Sequence, residues 1–572
     1  MLDSWAFRLV VPCGISLVLN LLWRYDFAGT IMPLMSGGAA IVESILAQGV
    51  KTVFGLPGGQ LYHLYNAYRQ AGDRLQVVTS RHEQGAAYMA YGYSAVTGGV
   101  GVYSVVPGPG LLNTTAALLT AYGCNARVLC VSGQIPSTGL GVGAGYLHEL
   151  PGQLEIVSYM TKQAERINRP ADAPAAIDRA FQALNSGRPR PVEVEMCMDV
   201  MEQEEEVTVT PSSVIPPEPS PDPEAIQRAA KLLGNAKRPL IIVGGGAREA
   251  GEPLKELAEM LQAPVGAFRQ GRGIVSDEHY LSFTYPGANR LWAEADVVLA
   301  IGTRLKYPLM YWGVEDLTII RVDIDSEEID RLRAPTVAII GDACEILTQL
   351  ANTLGQFNIS RASREEELLN LKSELALRFE EVQPQLSFLK VIREELPEDG
   401  IFVDEVTQIG FASWFAFPVY RPRQLITSGY QGTLGYGYAT AVGVKVACPD
   451  KKVIQISGDG GLMFNVQEIA TAVANQLNLV TIVFADGRFG NVHRDQQRHF
   501  GDNANIADGL VNPDFVALAE SFGAIGLRAQ GPESLRLAIR QAFKEKGPVL
   551  IEVPVGRMAS PWPFIGLGQV RP

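Results

Sequence analysis

Cysteine is scarce in this chain: six residues in 572, at positions 13, 124, 130, 197, 344 and 448, with no Cys-x-x-Cys pair. That sparsity excludes a disulfide-framework fold and points to a reduced, intracellular protein. Positive charge is also in deficit, with 48 Lys and Arg against 61 Asp and Glu and a formal net charge of −13. A surface that acidic repels polyanions, which argues against nucleic acid as a partner. Long apolar runs are missing. The best candidate, residues 9–23 (LVVPCGISLVLNLLW), falls short of the roughly 20 residues a spanning helix needs. Pro12, Gly14 and Asn20 interrupt it, and Asp3 cancels Arg8 in what would be a signal-peptide n-region. Residues 1–35 therefore read as an N-terminal extension of doubtful status, with a peripheral anchor at 9–23 as the minority reading and a cytoplasmic location expected. Low-complexity sequence and short repeats are absent too.

What is present is an ordinary globular composition, 47% hydrophobic and 19% charged. The length suffices for three or four domains at roughly 150 residues each. Short apolar runs alternate with helix-length stretches: 100–106, 127–132, 239–243, 297–301, 318–324, 452–457 and 479–484. Continuous apolar runs bounded by Gly or Asp predict parallel sheets covered on both faces. Residues 211–223 carry six prolines and read as a stiff linker. The predicted fold class is α/β, with three consecutive doubly wound domains of mainly parallel sheet. They span 36–205, 224–355 and 386–560, joined by a Pro-rich linker (206–223) and a helical linker (356–385).

The strongest chemical signal lies in the third block. A buried strand runs into Gly458-Asp459-Gly460-Gly461 and then a helix. Such a turn sets a carboxylate and free N–H groups at the mouth of a parallel sheet, which suits a metal-bound diphosphate. The next strand ends at Ala485-Asp486-Gly487, so Asp486 follows Asp459 by 27 residues. Adjacent strands would then present two carboxylates side by side, a pairing that is costly without a cation and sensible with Mg²⁺. Taken alone, Gly-Asp-Gly is also an ordinary turn.

With that spacing in hand, the chain resembles the thiamine-diphosphate enzymes from Met35 to about residue 560, in three-domain order: pyrimidine-binding, central and diphosphate-binding. Within them it looks closest to the acetolactate synthase large subunits. The resemblance implies that Asp459, the Asp486 side chain and the Arg488 carbonyl ligate Mg²⁺. Gly458, Gly460 and Gly461 would line the diphosphate, as would Thr407 and Gln408 in DEVTQIG. The family usually has two Asn where this chain has Ala485-Asp486; Asp still suits the cation. Arg81-His82-Glu83-Gln84-Gly85-Ala86 matches the context of the family's indispensable carboxylate. There the Glu hydrogen-bonds N1′ of the aminopyrimidine and favours the tautomer whose imino nitrogen takes the C2 proton. Leu434, 25 residues before Asp459, occupies the family's wedge position under the bent cofactor. Gly59 in GLPGG would line the reacting carbon, and Asn113, after Pro107-Gly108-Pro109-Gly110, would sit near the pyrimidine. Each has a plainer reading. Glu83 could be a solvated helix start, Leu434 simple core, and the glycines mere turns.

Departures concern the substrate and the central domain. Where synthases carry a Gln near the reacting carbonyl, this chain has Tyr146-Leu147-His148-Glu149, so His148 either serves a developing alkoxide or belongs to a surface loop. The tryptophan expected after the metal strand is replaced by Asp495 in GNVHRDQQ, where His493 and Arg494 either face substrate or line a solvated helix. The central block has Val243-Gly244-Gly245-Gly246 without a proper G-x-G-x-x-G helix opening and lacks the family's flavin strings. FAD is therefore disfavoured, and a structural domain or an ADP-type site stays open. The resemblance implies decarboxylation of a 2-oxo acid followed by carboligation, in a homodimer or homotetramer. The rivals are a simple decarboxylase, a 2-hydroxyketone or 2-hydroxyacyl lyase, a flavin-linked oxidase and a non-catalytic homologue.

Overall fold

The computed structural model describes residues 23–25, 31–210, 218–501 and 506–572. Residues 9–22 of the apolar run and 211–217 of the Pro-rich linker lie outside the described residues. Three six-stranded parallel sheets follow one another along the chain. All seven apolar runs singled out in the sequence are strands. Their residues are buried on both faces, as parallel strands covered by helices must be.

The first and third sheets share one topology. The first has the spatial order Gln76–Thr79, Thr52–Gly55, Gly101–Val105, Val128–Gln134, Val192–Cys197, Gln163–Ile167. The third repeats it as Leu425–Ile426, Ile401–Val403, Val453–Gly458, Val480–Ala485, Val549–Pro554, Ile525–Arg528. In both, the strand order reverses beside the first strand, and the loops leaving that point open a crevice suited to ligands. The middle sheet runs Ser282–Thr284, Val265–Ala267, Pro239–Val243, Val297–Ile301, Thr318–Asp323, Val337–Ile340, which is the dinucleotide-binding order.

A small antiparallel sheet joins Trp23–Tyr25 to Ile31–Ser36 and Ile31–Ser36 to Glu204–Glu206. Regular structure thus begins before Met35, earlier than the sequence pattern indicates. This pairing is made by backbone groups across some 170 residues, so no local hydrophobic period announces it.

One apolar core runs through the first and third sheets, joining Phe54, Tyr88 and Tyr103 to Val403, Tyr436 and Phe515. Two helices build this contact, Glu83–Thr97 and Gly437–Ala447. They cross in backbone contact. A Cβ on Gly92 would fall 2.1 Å from the Thr440 carbonyl oxygen, and one on Gly443 would fall 1.9 Å from that of Met89. Only glycine allows so close an approach. Among the described residues no helix is long and apolar enough to cross a membrane.

Candidate active site

The sequence-predicted residues of the third block converge at its crevice. Asp459 is buried, and both of its oxygens accept hydrogen bonds. Oδ1 accepts the Gly460 N–H (2.8 Å), while Oδ2 accepts the Gly487 N–H (2.7 Å) and the Asn512 side-chain amide (2.7 Å). The carboxylate thus ties the ends of two adjacent parallel strands together. Asp486 follows the second of those strands, and its Oδ1 accepts the Arg488 N–H at 3.3 Å. Burial, then the neighbouring Asp459, push its pKa up to about 6. Two carboxylates so placed repel one another until a cation joins them. Among the described residues no group of three or more His, Cys, Asp or Glu is placed to hold a metal ion. A cation held by only two carboxylates must complete its shell with carbonyl, water or phosphate oxygens, which is the habit of Mg²⁺. The Arg488 guanidinium pairs with Asp508 at 3.5 Å.

Thr407 caps the helix Gln408–Ala416 by accepting the Gly410 N–H at 2.9 Å. Its methyl carbon lies 3.3 Å from where a Gly458 Cβ would be. Gln408 Oε1 accepts from Arg494 at 2.8 Å. Leu434 Cδ1 lies 3.4 Å from the Cβ position of Gly461. Thr407, Gln408, Leu434, Gly458, Gly460, Gly461, Asp459 and Asp486 therefore form one cluster. Motif matching missed Asn512, 53 residues beyond Asp459, and Glu405, whose pKa burial pushes up to about 8.

The first-block residues form a second cluster. Glu83 is the first residue of its helix, and Asn113 Nδ2 donates to its Oε2 at 3.1 Å. His82 caps that helix, its Nδ1 accepting the Gln84 N–H at 3.0 Å. Gly59 precedes the buried Gln60, whose Nε2 donates to the Leu147 carbonyl (2.9 Å) and whose Oε1 meets His148 Nδ1 (3.0 Å). With the amide so oriented, Nδ1 is the donor of that pair. The loop 107–110 lies between the pairs. A Gly110 Cβ would come within 3.6 Å of Glu83, and one on Gly108 within 2.4 Å of the His148 carbonyl. Gln60 was not singled out in the sequence, although it directly follows the GLPGG string.

Within the chain the clusters meet through Glu468 and Asn465. The Glu468 carboxylate accepts the Arg81 and His82 N–H groups (3.0–3.1 Å), and Asn465 Nδ2 reaches Gln84 Oε1 at 3.4 Å. Among the described residues no hydrogen bond joins Glu83 itself to the Asp459 cluster. The helix Gly490–Phe500 has no buried residue. On it, His493 Nδ1 meets Asp508 at 2.9 Å, Asp495 is exposed, and Arg494 also donates to the Met558 carbonyl at 3.3 Å.

Comparison with known proteins decides the family. Three models match in succession: the thiamine pyrophosphate enzyme N-terminal TPP binding domain over residues 35–156, the central domain over 226–350, and the C-terminal TPP binding domain over 405–553. The chain belongs to the thiamine-diphosphate enzymes. Its relatives place this thiamine-diphosphate enzyme on the acetolactate synthase-like branch, among enzymes that form or break carbon–carbon bonds. It is 32% identical to a probable acetolactate synthase large subunit of Methanocaldococcus jannaschii, over 91% of this chain and 92% of that one. It is equally 32% identical to a probable 2-ketoarginine decarboxylase of Pseudomonas aeruginosa, over 91% and 94% of the two chains. Identity to the acetolactate synthase isozyme 3 large subunit of Escherichia coli is 30%, over 90% and 93%.

This thiamine-diphosphate enzyme also has a cleft of about 700 Å³ at the carboxyl ends of the middle sheet, closed by the other two blocks. Arg248, Arg269 and Arg304 line it, and burial lowers the pKa of each, that of Arg248 to about 10. Arg304 stacks over Tyr430 at 4.6 Å.

Proposed function

We propose that this enzyme uses thiamine diphosphate and Mg²⁺ to decarboxylate a 2-oxo acid and then join the remaining fragment to an acceptor carbonyl, as an acetolactate synthase does. The observation that carries this reading is the Asp459–Asp486 pair beside the Gly458–Gly461 turn. One buried and one half-buried carboxylate beside a helix N-terminus suit a metal-bound diphosphate. When bound, thiamine diphosphate supplies the nucleophilic carbon and the electron sink for loss of CO₂. The chain's own groups do the rest. Asp459, Asp486 and the Arg488 carbonyl hold the metal, and Gly458, Gly460, Gly461, Thr407 and Gln408 line the diphosphate. Leu434 props the cofactor from below. Glu83, steadied by Asn113, holds the proton shared with the pyrimidine ring. His148, oriented by Gln60, would face the substrate, with Gly59 beside it. The resemblance to family members that build the site between two subunits supports a homodimer or homotetramer. The domain limits are those given by the sequence, and the location is cytoplasmic.

A simple decarboxylase of a larger 2-oxo acid is the second reading. The relative named as a 2-ketoarginine decarboxylase and the exposed Asp495 in place of a tryptophan both favour it. CO₂ release from pyruvate, with and without both cofactors and with the organic product identified, tests the proposal. Acetolactate is the expected product. Acetaldehyde would assign a decarboxylase, and bound cofactor without CO₂ would point to a larger substrate. The arginine-lined cleft suits the two phosphates of an ADP-type nucleotide; FAD, disfavoured by the missing flavin strings, carries the same phosphates, and flavin absorbance of the purified protein separates the two.

Metal binding should depend on pH with a defined sign. With the Asp486 carboxyl at about 6 in the metal-free chain, a proton occupies the site below that pH and must leave before Mg²⁺ enters. Calorimetric titration is expected to show affinity flat above about pH 7 and falling by about tenfold per pH unit well below 6. Affinity independent of pH across that range would remove Asp486 from the metal site.

A further inference from the structure

We propose that Glu405 and Asn465 are positioning residues that fix the Leu434 turn and, through it, the bend of the bound cofactor. The inference rests on the thiamine-diphosphate reading above and concerns groups that touch neither substrate nor reacting atoms. Gly435, the residue after Leu434, has φ +84°, and a Cβ there would lie 2.3 Å from the Phe464 Cβ. Its peptide groups are pinned from two sides. Its N–H donates to Glu405 Oε1 at 3.2 Å, and its carbonyl accepts from Asn465 Nδ2 at 2.7 Å. Glu405 Oε2 takes the Gly437 N–H at 2.9 Å, and Oε1 takes the Val406 N–H at 2.8 Å. One carboxylate thus grips the backbone on the far side of the wedge at two points.

Glu405 and Asn465 are each 1% exposed, so water cannot replace either as a partner. The Cβ position of Gly461 lies 3.4 Å from both Glu405 Cγ and Leu434 Cδ1, so the diphosphate turn, the wedge and this carboxylate pack as one unit. Three segments that carry the proposed cofactor residues, 405–408, 434–437 and 458–465, therefore meet on one carboxylate and one carboxamide. A glutamine at 405 would fill the same space but turn an N–H₂ donor toward a backbone N–H. The wedge would lose an anchor while the diphosphate ligands stayed in place.

The test uses the holoenzyme and follows exchange of the cofactor's C2 proton into D₂O, by acid quench and NMR, alongside calorimetric cofactor affinity. In E405Q and in N465A, exchange is expected to slow by about 10–100-fold with affinity held within about threefold, the mark of a displaced rather than a lost cofactor. E405D, which keeps the carboxyl group with a shorter reach, should fall between E405Q and the parent. Parental exchange in both variants would overturn the proposal, as would a loss of affinity equal to the loss of exchange. Should E405Q not fold, N465A carries the test by itself. A parent enzyme that binds no thiamine diphosphate would instead sink the cofactor reading, a result distinct from either.

Discussion

Glu83→Gln is expected to lower cofactor-dependent turnover by about a thousandfold, within the range that loss of a positioned proton-transfer group produces. The replacement is nearly isosteric, so the first turn of the helix Glu83–Thr97 should survive. The His82 cap and the Glu468 carboxylate that accepts the Arg81 and His82 N–H groups remain in place. What is lost is the ability to hold or release a proton at the oxygen that Asn113 now steadies at 3.1 Å. Thiamine diphosphate affinity should change little, because the proposed diphosphate and metal contacts lie in the other cluster. Comparison of steady-state turnover with calorimetric affinity checks both halves of the expectation. Undiminished turnover in the variant would remove Glu83 from the chemistry.

Asp459→Ala should show the opposite pattern, a failure of binding ahead of chemistry. Groups that merely orient a metal ligand are worth about 10–100-fold in affinity, so removing a ligand itself should cost more than about 100-fold in Mg²⁺-dependent cofactor binding. The substitution also strands the Gly487 N–H and the Asn512 amide, both of which donate to Asp459 Oδ2 at 2.7 Å. Both donors are only half-buried and can turn to water, so the apo protein should melt little earlier than the parent. Asn512→Ala serves as the control, since it removes the donor and leaves the carboxylate. Cofactor binding by Asp459→Ala at parental affinity would place the metal elsewhere.

The sheets were legible in the sequence because parallel strands buried on both faces must be continuously apolar, and each such run proved to be a strand. The Asp459–Asp486 spacing was legible for a related reason, since both residues end neighbouring strands in a fixed register. Residues recruited across the fold were not. Asn512 reaches Asp459 from 53 residues away, and Glu468 meets Arg81 across 387. Gln60 matters only because chain folding brings His148 to it. The middle sheet shows the limit most clearly. Its strand order is that of dinucleotide-binding folds although its first turn lacks the glycine pattern, because order is a property of pairing and not of any one loop. Its cleft is lined from three blocks at once, which no window of sequence displays.

The glycine crossing of the helices Glu83–Thr97 and Gly437–Ala447 bears on how such an enzyme changes substrate over evolutionary time. One helix begins at the proposed proton-handling residue, and the other starts three residues after Leu434. Any side chain added at Gly92 or Gly443 would drive apart the supports of both. The segment around His148, the helix Gly490–Phe500 and the cleft of the middle sheet do not bear on that contact and are free to change without disturbing it. On the function proposed above, substrate choice could shift at those places while the two helix supports stay as they are.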